Sequence, residues 1–111
     1  YQDVDKRVTE ESVALAALYR DCSSLPSPYS DSLKLYLKQY TRYVIDTAWA
    51  LQSKGSVPLR GVQTVNKVQR LLYSYEPQTI REANIHKEAL SQYNKFVELR
   101  RLRLSVIAQV Y

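Results

Sequence analysis

The chain is 111 residues long, 45% hydrophobic and 24% charged, with a net charge of +5 from 16 Lys and Arg against 11 Asp and Glu. This composition fits one globular domain with a single core and excludes a disordered polymer. No apolar run reaches the roughly 18–20 residues that a bilayer span needs, no signal peptide is evident, and the lone Cys22 cannot form an internal disulfide.

Helical periodicity begins at once. Val4, Val8, Leu15, Leu18 and Cys22 follow one another at three- and four-residue steps, which predicts a helix over residues 2–22. Glu11 stands at the one position of that seam where an apolar side chain belongs. Ser23 to Ser27, with Pro26, reads as a connection, and Ser27-Pro28 reads as an N-cap followed by the first helical position. The second helix runs to about Ser53 and stops before Gly55. Its main stripe is Leu33, Tyr36, Leu37, Tyr40, Val44, Ala48 and Leu51. Leu35, Ile45 and Trp49 fall on its other side and form a candidate partner face, which points to self-association as one use of the domain.

The third helix is expected over residues 58–75, with Val65, Val68, Leu72 and Tyr75 inward, ending before Pro77. Thr79-Ile80-Arg81-Glu82 matches a capping box, in which the Thr hydroxyl and the Glu side chain each take a free amide at the helix start. The last helix then continues to the end of the chain. Two glycines and four prolines all lie between or at the edges of these segments. Short connections therefore predict an all-α fold, an antiparallel four-helix bundle with both termini at the same end. Neither end carries a helix stop signal, and no methionine occurs. The expectation is a single extramembrane domain, residues 1–111, excised from between flanking transmembrane segments.

No catalytic, cofactor-binding or metal constellation is visible, so an enzyme is not expected. His86 is the only histidine, and Glu82 at i−4 is at most half of a site that needs about four ligands. His86 therefore reads as a surface or capping residue, and Cys22 as a small core residue. Ten tyrosines are present. Tyr36, Tyr40 and Tyr43 share one helical face that Tyr73, Tyr75 and Tyr93 can meet, the usual pattern of a core with hydroxyls at its rim.

The last helix carries its chemistry in arginines. At roughly 100° per residue, Ile85, Ala89, Tyr93, Phe96, Val97 and Leu104 define its inner face. Arg100 and Arg103 fall inside that stripe, with Arg101 at its edge. Arginines on a buried face need acidic partners. Glu11 and Arg100 both lie roughly 15 Å from their respective chain ends at about 1.5 Å per residue, so the sequence predicts an ion pair from Glu11 to Arg100 or Arg103. The alternative is that these arginines snorkel to solvent with only their stems packed. Arg100, Arg101 and Arg103 also form a basic cluster that anionic lipid headgroups can hold if a membrane span follows. A nucleic-acid partner is not expected, because the basic residues form a local cluster and not a broad face.

Leu18-Tyr19-Arg20, Leu25-Pro26-Ser27-Pro28, Tyr40-Thr41-Arg42-Tyr43-Val44-Ile45 up to Trp49, Glu76-Pro77-Gln78-Thr79 and Glu98-Leu99-Arg100-Arg101-Leu102-Arg103-Leu104 come in a fixed order over nearly the whole chain. In order and spacing they resemble the soluble middle region of the bestrophin-like membrane proteins, a family of unknown function. One departure is Ala48, where the resemblance leads one to expect an acidic residue. The resemblance implies a parent protein with two membrane spans before this segment and two after it, and the Arg100, Arg101 and Arg103 cluster beside such a span favours the cytoplasmic side for this segment. Its role would be scaffolding, assembly as a homo-oligomer, or regulation, and ion-channel or transport activity would belong to the parent. The competing expectation is a soluble helical module that binds an acidic protein or nucleic acid through Lys95 to Arg103.

Overall fold

The computed structural model describes residues 2–54 and 60–110, with side chains over 5–46 and 61–105. Four helices make up the fold: α1 (Gln2–Ser23), α2 (Tyr29–Lys54), α3 (Arg60–Ser74) and α4 (Ile80–Val110). No strand occurs among the described residues. The helices pack into an elongated body of 47 × 20 × 17 Å. α4, with 31 residues, is about 46 Å long at 1.5 Å per residue and spans the whole of it. It packs most extensively on α1, while α3 packs chiefly on α2.

Each helix buries the stripe that its periodicity marks. α1 contributes Ala14, Leu15, Leu18 and Cys22, and α2 contributes Leu33, Leu37, Tyr40 and Val44. Val65, Val68, Leu72 and Tyr75 come from α3, and Ala89, Tyr93 and Phe96 from α4. Val4, Ala48 and Leu51 belong to the predicted stripes but lie outside the described side chains. The first two residues assigned to the third helix, 58 and 59, are likewise outside the described residues.

The connections explain where the helices stop. At the end of α1, the amides of Ser24 and Leu25 donate back to the carbonyls of Asp21 and Cys22, both at 3.2 Å. These tight last-turn bonds satisfy carbonyls that have no partner within the helix. Leu25 then drops into the core at 3% exposure and ties the connection down. α2 starts at Tyr29, slightly later than the Ser27 cap predicts. The first helical amides, from Ser30 and Ser32, donate to the carbonyls of Pro26 and Pro28, so backbone groups close this turn and no Ser27 side-chain cap is formed.

At the start of α4 the capping box is present: the Glu82 amide donates to Thr79 Oγ1 at 3.0 Å. The return bond comes from the Gln78 amide to Glu82 Oε1 at 3.3 Å, one residue earlier than the simple box places it. α2 and α3 come unusually close at Gly61. A Cβ there would lie 2.9 Å from Tyr43 Cε1 and 3.2 Å from Tyr40 Cε2.

Of the tyrosines expected at the core, Tyr40, Tyr75 and Tyr93 are buried and Tyr36 packs half-buried against it, while Tyr73 is exposed. Tyr40 meets Phe96 edge-on at 5.2 Å, and Tyr75 packs on Tyr29 at 4.9 Å. Tyr73 and Tyr93 contact each other at 6.3 Å, and Tyr36 lies under the Lys67 ammonium at 5.5 Å.

A buried ion pair as the candidate functional site

The polar centre of the molecule is built by three helices. Glu11 on α1 is 1% exposed, Tyr40 on α2 1%, and Arg103 on α4 4%. Arg103 Nε donates to Glu11 Oε2 at 2.6 Å, and its Nη2 reaches Oε1 at 3.4 Å. The Tyr40 hydroxyl donates to Glu11 Oε1 at 2.8 Å and in turn receives Arg103 Nη2 at 3.3 Å. Both carboxylate oxygens are thereby occupied, in the fork geometry that makes Arg–carboxylate pairs strong.

Burial is the dominant influence on both partners of the carboxylate. It alone would pull the Arg103 guanidinium down, but the Glu11 charge and hydrogen bonds, with Tyr40, outweigh it and hold the group above its ordinary value. Burial, then the Glu11 charge, pushes the Tyr40 phenol far up, so it stays a donor throughout the accessible pH range. The pair joins residues 92 positions apart in sequence. It therefore fixes the relative height of α1 and α4.

Arg100, the other arginine inside the stripe, does not reach Glu11. It is half-buried, its charge only weakly opposes the burial that raises the Tyr40 and Tyr93 phenols, and its Nε has no hydrogen-bond partner among the described residues. Arg101 is exposed and clasped to Glu98 on its own helix at 2.5 Å. The three arginines within this four-residue stretch thus have three different environments: Arg103 faces inward, Arg101 is paired at the surface, and Arg100 lies between. Sequence reasoning did not foresee Tyr40 as the third member. The available signal was its place at the centre of the α2 stripe, because a buried phenol needs a partner for its hydroxyl.

A second polar cluster lies where α3 hands over to α4. The Tyr75 hydroxyl donates to Glu82 Oε1 at 2.5 Å. His86 Nε2 lies 2.6 Å from the Leu72 carbonyl, which can only accept, so that nitrogen carries the proton. The imidazole stacks on Tyr75 at 5.2 Å and 21°, and its role is to close the last turn of α3. Among the described residues, no group of three or more His, Cys, Asp or Glu is placed to hold a metal ion.

The Tyr75 hydrogen bond, followed by that of the Gln78 amide, lowers the Glu82 carboxyl below its ordinary 4.5. A depressed folded-state value means that Glu82 contributes stability above the unfolded pKa and loses it as pH falls through the folded one. The stability difference between the wild type and Glu82→Gln is therefore expected to shrink as pH falls from 6 to 3 in urea titrations.

Cys22 is fully buried. Burial first, and then the adjacent Asp21 charge, pushes its thiol up to about 12. Iodoacetamide at pH 8 is expected to label it only as fast as the chain unfolds, and mass spectrometry against added urea measures this. On the opposite face of α2, Leu35 and Ile45 are 54% and 63% exposed. Trp49, the third residue of that face, lies outside the described side chains.

A comparison with protein families matches the Bestrophin-like domain over residues 1–111, the whole chain. The chain belongs to that family. No curated protein and no solved structure matches it. Within this Bestrophin-like domain, no helix among the described residues is long and apolar enough to cross a membrane.

Proposed function

We propose that this Bestrophin-like domain is the extramembrane, cytoplasmic helical domain of a multi-span membrane protein, with a scaffolding and non-catalytic role. Its work is to hold the membrane segments attached to its first and last helices at a fixed separation and height. The observation that carries this reading is the Glu11–Arg103–Tyr40 cluster, which locks α1 to α4 and both to α2. The bundle is read as antiparallel, with both ends of the chain at one end of the body. Gln69 pairs with Tyr93 and Leu72 with His86, so α3 advances as α4 retreats, which favours that arrangement. Ion-channel or transport activity is assigned to the parent protein and not to this domain.

Binding of an acidic partner or anionic lipid through the last helix receives less support. Arg103 is buried and Arg101 already has a carboxylate, which leaves the exposed Lys95 and the half-buried Arg100 without an ion pair among the described residues.

The test uses the full-length parent protein. It is expected to remain with membranes after alkaline carbonate washing, with this domain protected from protease added outside intact cells. A parent recovered in the soluble fraction overturns the proposal. If it is retained, ion flux into liposomes above empty controls tests the transport assignment.

A further inference from the structure

A groove of about 840 Å³ runs between α1 and α2. Leu15, Ala16 and Leu37 line it, and its α2 edge carries the exposed Leu35 and Ile45. From residue 35 to residue 45 is roughly 15 Å along a helix. A docked amphipathic helix covers that span with apolar anchors at i, i+4, i+7 and i+11.

Charge defines the occupant further. Lys34, Lys38 and Arg42 follow one another on α2 at i, i+4 spacing, a ladder of like charges that weakens the helix bearing it. Lys38 and Arg42 line the groove. Neither makes an ion pair among the described residues, and Lys38 rests instead over the Tyr19 ring at 5.9 Å. Asp46 is the one acid among the described lining residues.

From this juxtaposition we propose that the α1–α2 groove receives an amphipathic helix of a partner protein whose apolar stripe is bordered by Asp or Glu. Its apolar side chains insert between Leu35 and Ile45, and its carboxylates meet Lys38 and Arg42. A second copy of this chain docking through the same face would bring two cationic ladders together, because a two-fold interface pairs a surface with itself. A flat lipid surface leaves a concave groove between two helices unfilled, whereas a helix about 10 Å across fills it.

The test uses the full 111-residue chain and a fluorescein-labelled 18-residue helical peptide with Leu at i, i+4, i+7 and i+11 and Glu on both flanks. A matched peptide carries Lys in place of Glu. Fluorescence anisotropy is expected to show the Glu peptide binding at least tenfold more tightly than the Lys peptide, with affinity falling as salt rises. Leu35→Glu with Ile45→Glu is expected to lower binding of the Glu peptide at least tenfold. Lys38→Glu with Arg42→Glu is expected to reverse the preference between the peptides. All these positions are exposed, so circular dichroism of each variant should match the wild type. Equal binding of the two peptides, or binding indifferent to the Leu35 and Ile45 changes, overturns the proposal. So does sedimentation showing self-association that the Leu35 and Ile45 changes abolish, or a preference for phosphatidylserine vesicles that they abolish.

Discussion

Replacing Arg103 by methionine is expected to destabilise the domain by about 3–5 kcal/mol, because the Glu11 carboxylate would remain buried without its counter-charge. The Tyr40 hydroxyl at 2.8 Å would then be its one strong donor, and a single neutral donor does not offset the desolvation of a charge. For a domain of this size the same loss lowers the melting temperature by roughly 15 °C or more. Glu11→Leu is expected to be costly as well, since it leaves the guanidinium in the same apolar surroundings. The paired replacement Glu11→Leu with Arg103→Met is expected to lie near the wild type, because it removes both desolvation penalties together. Urea unfolding of the four proteins gives a double-mutant cycle. Additive losses from the two single changes would show that the pair is not coupled.

Phe96→Ala is expected to cost a further distinct amount, about 3–5 kcal/mol, through the cavity it leaves. Phe96 is 1% exposed and packs edge-on against Tyr40 at 5.2 Å and 85°. The ring that vanishes is therefore also the brace for the phenol that holds Glu11. The Phe96 and Arg103 changes should not add independently, since both side chains contact Tyr40 and residues with a shared partner couple. If their combined loss in urea titrations equalled the sum of the two, the brace would have no role and Phe96 would be core packing alone.

Much of this was legible in the sequence, for reasons that differ from place to place. Four helices and their inward stripes followed from apolar spacing, and the Thr79–Glu82 cap from a local rule that needs no tertiary information. Glu11 was legible as an anomaly, an acid in an apolar seam, and its partner was narrowed to two arginines by matching distances along two helices. Rotation about the α4 axis decided between them. Arg103 turns inward to Glu11, while Arg100 stays half-buried with its Nε unpartnered among the described residues. Such a difference is smaller than the scatter of an ideal wheel. The Tyr40 hydroxyl and the His86 bond to the Leu72 carbonyl were out of reach, because both depend on how two helices are set against each other and not on the period of either. Which tyrosine rings meet was out of reach for the same reason, although the buried places of Tyr40, Tyr75 and Tyr93 were not.

α4 runs the full length of the body and is fastened towards its two ends, His86 to the Leu72 carbonyl and Arg103 to Glu11, with Tyr93 bonded to Gln69 between them. The outer two fastenings stand roughly 25 Å apart along one helix, and they hold α4 to different neighbours. Under a pulling force applied at the Val110 end of α4, the load falls first on the charged clasp, while the histidine latch stays closed behind it. The domain would then yield in two stages, the first freeing α4 from α1 and the second parting it from α3.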